Sequence, residues 1–236
     1  MQMYKINNRH GKRENMRSKI EMIKQRMTSE LSCSAHNIDH VMRVYNLCKL
    51  IADTEGNVEM DVLEPAALLH DIARVKESND NSGETDHAVL GAEMAGEILN
   101  ELAYPPDLIE KIKHCILTHR YRTNNEPKTI EAKILFDADK LDVIGSVGIA
   151  RTYMLAGQFD QRIMASSSAL YEKENIVDNG RIKNLSKHSP YMEYEYKFKN
   201  IPDKLYTQKG KQMGKERLTF MDSFFLRLKE EVNGTL

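Results

Sequence analysis

Apolar residues along this chain recur at intervals of three and four, and no stretch alternates apolar with polar for the length of a strand. The first spacing lines one face of a helix; alternation would line one face of a strand, so the pattern argues against a substantial sheet. Ile20, Ile23, Met27 and Leu31 mark a helix from Arg17 to about Leu31, behind a polar segment at 1–16 expected to be loose or weakly helical. Val44, Leu47, Cys48 and Ile51 mark a helix over 36–54, and Leu63, Ala66, Ala67 and Leu69 one over 60–70. Leu90, Met94 and Ile98 repeat the period over 86–101. Pro105-Pro106 opens the next helix, in the first turn where the missing proline N–H has no partner to lose, and Ile109, Ile112, Cys115 and Ile116 form its stripe. Helices are expected at 129–144 and 147–157, parted near Gly145 and Gly148. A long one at 210–232 carries Met213, Leu218, Met221, Phe224, Phe225 and Leu228. Residues 75–85 and 121–128 read as polar loops, and 174–208 has no readable period. The expected class is all-α, a helical bundle of antiparallel neighbours. Its parts are an N-terminal segment and helix at 1–30, a core at 31–157, and a helical extension packed on the core at 158–236.

The chain has 236 residues, of which 41% are hydrophobic, enough for the core of one large domain. A net charge of -1 gives no global attraction to nucleic acid or to an anionic membrane, and neither is expected as a partner. The first residues, MQMYKINNRHGKREN, lack the apolar run of a signal peptide, and no stretch approaches the ~18 apolar residues needed to span a bilayer. The three cysteines, Cys33, Cys48 and Cys115, are odd in number and form no CxxC pair. That argues against a disulfide framework or a thiolate zinc site, and points to a reducing cytoplasm. The last helix can pack on its own core or on a second subunit, which leaves a homodimer open.

Several ionisable residues are aimed inward. His40 shares a helical face with Val44, Leu47 and Ile51, and a buried imidazole needs a partner for each ring nitrogen. A lone inward histidine bonded to a carbonyl would need no further explanation. The next apolar helix, however, closes on Leu68-Leu69-His70-Asp71, where a carboxylate loses hydration for no packing gain. Asp139 and Asp142 share a face that Leu135 turns inward. Buried carboxylates without compensation repel each other and are pushed toward protonation. A divalent cation reconciles these groups.

The order His40, then His70-Asp71, then a distant Asp139 resembles the HD superfamily of metal-dependent phosphohydrolases. His40-Val41-Met42-Arg43-Val44 is similar to that family's first-ligand helix, and Ala66-Ala67-Leu68-Leu69-His70-Asp71-Ile72-Ala73-Arg74 to its HD turn. Asp137-Ala138-Asp139-Lys140-Leu141-Asp142, continuing to Arg151, resembles a signature of small bacterial HD hydrolases. The likeness covers about 30–155 well, and Lys204–Thr207 and Lys211–Arg217 more weakly. It implies an HD-domain helical bundle with a metal held by His40, His70, Asp71 and Asp139. Asp137 is the rival for the last place, and His36 either lines the pocket or ends a helix. A site of two histidines and two carboxylates suits Mn, Fe, Ni, Co or Mg as the divalent ion. Some two-metal relatives take extra histidines from the helices that here carry His87 and His119, so both are candidates for a second metal. The other reading is that they bind phosphate or pack. His114 is poorly phased for such a role.

The resemblance further implies a phosphate ester or anhydride as substrate, with a nucleotide expected. Arg74, Lys140, Arg120, Arg122 and Arg151 stand where they could meet a phosphate, though each also suits a solvated surface. Asp71 and one of Asp142 or His119 are the candidate catalytic groups, the last two for proton transfer by helical facing. Tyr191, Tyr194 and Tyr196 could stack on a base or pack. No phosphate-binding glycine loop and no Gly-x-Ser-x-Gly elbow is present, so covalent catalysis is disfavoured. A binding protein that keeps the fold without catalysis is the alternative.

Overall fold

The computed structural model describes residues 2–31, 35–120, 125–177 and 181–236, with the backbone alone described for 2–13, 15, 35–37, 177 and 181. The chain divides into two compact units, Met1–Ala138 and Asp139–Leu236. The first holds α1 (Gln2–Glu30), α2 (Ala35–Ala52), α3 (Met60–Leu69), α4 (Arg74–Asn79), α5 (His87–Glu101), α6 (Pro106–Thr118) and most of α7 (Ile130–Asp142). The second holds α8 (Gly145–Gln158), α9 (Ala169–Asn175), α10 (Pro190–Tyr196) and α11 (Gln208–Val232). It also has an antiparallel pairing of Ile176–Val177 with Arg181–Ile182, too short to make a sheet layer. The class is all-α, as the spacing predicts. Among the described residues no helix is long and apolar enough to cross a membrane.

In the first unit α3 is the central element and packs on α1, α2 and α6. Its sequence is apolar nearly all round, and Val62, Leu63 and the run Pro65–Leu69 are buried. A helix with that pattern has no solvent face to offer and sits inside a bundle. Ile23, Met27 and Leu31 of the first helical segment and Val44, Cys48 and Ile51 of α2 close over it, all essentially inaccessible. On α5 the buried face carries the expected Ile98 together with Ala88, Gly91, Ala92, Ala95 and Leu99, whereas Leu90 and Met94 are only half-buried. Small residues on that face bring α5 close to the end of α3: a Cβ built on Gly91 would sit 3.6 Å from the His70 carbonyl oxygen.

The elements depart from the periodic reading in three places. Residues 2–16 continue α1 as helix; lysine, arginine, glutamate and methionine favour helix, but a polar surface offers no stripe to read. Part of the expected loop at 75–85 is the short α4, which has no buried residue and so no apolar period. The unreadable 174–208 is built from short pieces stopped and started by side-chain caps. Ser189 accepts from the Met192 N–H, and Asn184 from the Ser186 N–H. Pieces of three to seven residues are too short for a period to show.

In the second unit α11 packs along α8. Tyr194 stacks on Phe225 with ring centroids 4.4 Å apart, and Tyr153 meets Phe224 edge-on at 6.2 Å. The start of α8 is tight. Gly145 has φ +78°, and a Cβ on Gly148 would lie 2.2 Å from the Val143 carbonyl oxygen. The break that the two glycines announce therefore falls at Val143–Ile144, and α8 begins at Gly145.

Candidate metal centre

Four elements of the first unit bring ionisable side chains to one place. His40 lies on the buried face of α2, 5% exposed. Helix α3 stops at Leu69; the Ile72 N–H donates to the Leu69 carbonyl at 3.1 Å and the Arg74 N–H to the Asp71 carbonyl at 2.8 Å. These turns project His70 and Asp71 from the break between α3 and α4. Asp86 caps α5 by accepting the Ala88 N–H at 2.8 Å, which sets His87 as the first helical residue. His119 is the C-cap of α6. All five groups, His40, His70, Asp71, His87 and His119, are buried.

The histidines form two pairs. The Nε2 atoms of His40 and His70 are 3.3 Å apart, and those of His87 and His119 are also 3.3 Å apart. Asp71 faces both pairs with different oxygens. Its Oδ2 is 3.6 Å from His40 and 3.9 Å from His70. Its Oδ1 is 3.5 Å from His87 and 3.7 Å from His119. Most of these contacts are too long for good hydrogen bonds. They fall near the spacing of ligands around a shared ion: two donors each about 2.1 Å from a metal sit about 3 Å apart at right angles and about 3.5 Å apart at wider angles.

The tautomers point the same way. The His70 Nδ1–H donates to the Ala67 carbonyl at 2.8 Å and the His119 Nδ1–H to the Ile116 carbonyl at 2.5 Å. His87 Nδ1 lies 2.9 Å from Glu77 Oε2. With its Nδ1 proton given to the Ile116 carbonyl, His119 turns its Nε2 lone pair toward His87 and the Asp71 carboxylate, where a cation could be held. Burial pushes His87 below the ordinary histidine range, a trend Asp71 opposes and His119 and Arg74 reinforce. Burial would raise the Asp71 carboxyl, but His70, His119 and His40 hold it well below the usual carboxylate range. His40, His70 and Asp71 form one group able to hold a metal ion, and Asp71, His87 and His119 a second.

Charged groups surround His87. Arg74 Nη1 contacts Glu77 Oε2 at 2.7 Å and His87 Nδ1 at 3.1 Å. Arg120 joins Asp86 at 2.6 Å and Glu77 at 3.2 Å. Burial would raise Glu77, yet His87, Arg74 and Arg120 bring it below its ordinary value. Glu77 and Asp86 were not among the residues singled out from the sequence. Asp86 carried a signal, a capping residue directly before an apolar-periodic helix. Glu77 carried none, because its partners lie on other elements.

The other candidates make contacts of their own. In the second unit Asp139 takes the Lys140 ammonium at 2.6 Å, and the nearly inaccessible Asp142 is paired with Arg151 at 2.6 Å. Asp137 is fully buried. His114 accepts the Lys128 N–H at 3.1 Å and takes no part in either histidine pair. Arg122 and Cys33 lie outside the described residues, as does the side chain of His36. Cys48 and Cys115 are buried thiols, and burial pushes Cys115 up to about 12, which leaves it inert as a nucleophile. Tyr191 and Tyr194 pack on Phe225, and Tyr196 hydrogen-bonds Glu172 at 2.6 Å.

Residues 37–144 match the HD domain family, and they contain all five residues of the double cluster. The fold is accordingly an HD-domain helical bundle. The chain is 29% identical to the uncharacterized protein YpgQ of Bacillus subtilis over 205 residues, 85% of this chain and 86% of that one. A crystal structure of YpgQ in complex with ADP superimposes with a TM-score of 0.68 at 24% identity, covering 92% of this chain and 96% of the other. An HD-superfamily hydrolase from Bacillus thuringiensis matches with a TM-score of 0.69 at 24% identity over 92% and 98% of the two chains. The 3′-5′ exoribonuclease YhaM of Halalkalibacterium halodurans is 26% identical over 150 residues, 58% of this chain and only 47% of that enzyme.

Proposed function

We propose that this chain is a metal-dependent phosphohydrolase that cleaves a phosphate ester or anhydride of a nucleotide, using two divalent ions that share Asp71. The observation that carries this reading is the single buried carboxylate presenting one oxygen to each of two histidine pairs. The first ion would be held by His40, His70 and Asp71. The second would be held by Asp71, His87 and His119. Four imidazole nitrogens favour a first-row transition ion such as Mn²⁺, Fe²⁺, Co²⁺ or Ni²⁺ over Mg²⁺. When bound, such a pair supplies Lewis acidity to the phosphoryl group and makes water nucleophilic at neutral pH.

The protein's own residues do the rest. Asp71, with one oxygen toward each histidine pair, would offset charge on both ions. The Ala67 and Ile116 carbonyls hold His70 and His119 in the tautomer whose Nε2 can ligate. Arg74 and Arg120, at the edge of the cluster and only partly exposed, supply cationic donors for phosphate oxygens. Lys140 and Arg151 of the second unit are paired with Asp139 and Asp142, as Arg74 and Arg120 are with Glu77 and Asp86, so pairing alone ranks neither set first. A nucleotide is favoured because YpgQ crystallised with ADP and YhaM is an exoribonuclease.

The test is turnover by the Mn²⁺-loaded protein on nucleoside mono-, di- and triphosphates and on a short RNA. Release of phosphate or pyrophosphate, abolished by Asp71→Ala with the fold retained, is the expected result. Tight metal and nucleotide binding with no product from any of them would instead favour a non-catalytic binding protein.

A further inference from the structure

We infer that Glu77 is a positioning residue that selects the tautomer of His87 and thereby sets the affinity of the second ion; the inference rests on the two-ion reading above. Glu77 takes both N–H groups of His87. Oε2 lies 2.9 Å from the ring Nδ1, and Oε1 lies 3.4 Å from the backbone nitrogen at the start of α5. The same ring nitrogen has a competitor, since Arg74 Nη1 stands 3.1 Å away. A guanidinium can only donate, and a carboxylate can only accept. Glu77 therefore favours the form with the proton on Nδ1 and the lone pair on Nε2, facing His119 and Asp71. Arg74 alone would favour the opposite form, with the proton on Nε2, which cannot ligate. Glu77 also binds Arg74 itself at 2.7 Å, which draws that donor toward the carboxylate.

No equivalent choice exists at the other buried rings of known tautomer. His70 and His119 donate to backbone carbonyls, which no substitution removes. The second ion's site thus depends on a side chain of α4, a six-residue helix with no buried residue. Carboxylates that orient metal-binding histidines in this way typically change metal affinity by about 10–100-fold when removed.

Two readouts test this. The first is the ¹⁵N signature of the His87 ring in metal-free protein, which reports which nitrogen carries the proton. The second is Mn²⁺ titration of the same protein. In the parent chain we expect protonated Nδ1 and two Mn²⁺ per chain. In Glu77→Leu the proton should move to Nε2, and the weaker class of Mn²⁺ should lose about 10–100-fold in affinity while the first class is held. Glu77→Gln keeps a carbonyl acceptor and should restore most of that loss, which a purely structural role of the charge would not predict. If His87 keeps its Nδ1 proton in Glu77→Leu, or if both Mn²⁺ classes are unchanged, the inference is overturned with the two-ion reading intact. If the parent chain binds one Mn²⁺, the two-ion reading and the affinity claim fail together, and the ¹⁵N signature alone then decides whether Glu77 sets the tautomer.

Discussion

Replacing Asp71 by asparagine should weaken both bound ions at once. The two oxygens of the carboxylate face different histidine pairs, at 3.6 and 3.9 Å on one side and 3.5 and 3.7 Å on the other. An ion seated among either set lies within about 4 Å of the carboxylate charge. Unit charges at that distance interact by ~4 kcal/mol at an effective dielectric near 20, so each ion should lose on the order of a thousandfold in affinity. The double charge of the ion increases this loss, and the retained asparagine oxygen reduces it. The measurement is free Mn²⁺ by electron paramagnetic resonance during titration of metal-free protein, with far-ultraviolet circular dichroism to confirm the fold. His40→Ala should weaken one class and His119→Ala the other, whereas Asp71→Asn should weaken both. If Asp71→Asn lowers only one class and leaves the other within its parent affinity, the shared carboxylate is wrong.

Two further predictions concern the second unit. Glu193 is mostly buried; burial alone would raise its carboxyl, but His188 and Lys197 bring it from its ordinary 4.5 down to about 2. A folded value below the unfolded one stabilises fully above about pH 4.5, and that contribution is lost as the pH falls toward 2. A difference of this size is worth roughly 3 kcal/mol, so Glu193→Gln should lower urea stability by up to that amount at pH 7. The gap to the parent should close on acidification; a gap that is the same at pH 7 and pH 3 would contradict the assignment. Gly148→Ala should destabilise by about 3 kcal/mol or more, because the new Cβ would meet the Val143 carbonyl oxygen at 2.2 Å and backbone must move. A melting temperature equal to the parent's would show that the start of α8 is looser than described.

The sequence by itself determined the helical class and most of the helices, because an apolar stripe repeats locally and needs no knowledge of what it packs against. It also marked His40, His70 and Asp71 as ionisable residues aimed inward together, and the family resemblance added His87 and His119. Where the surface is polar all round, as in 2–16 and α4, the same method had nothing to read, and helix formed without a stripe. The buried side of α5 is only partly legible for a related reason: Ile98 shows, but alanine and glycine give a weak apolar signal while allowing the close approach made there. Only the tertiary structure decided how the marked residues group. The pairing of His40 with His70 and of His87 with His119, and the position of Asp71 between them, join α2, the α3–α4 break, α5 and α6 across up to 79 positions of sequence. Glu77 shows the limit most clearly. Its place in the chain is an ordinary polar stretch, and its role exists only because α4 and α5 pack so that one carboxylate reaches both N–H groups of His87.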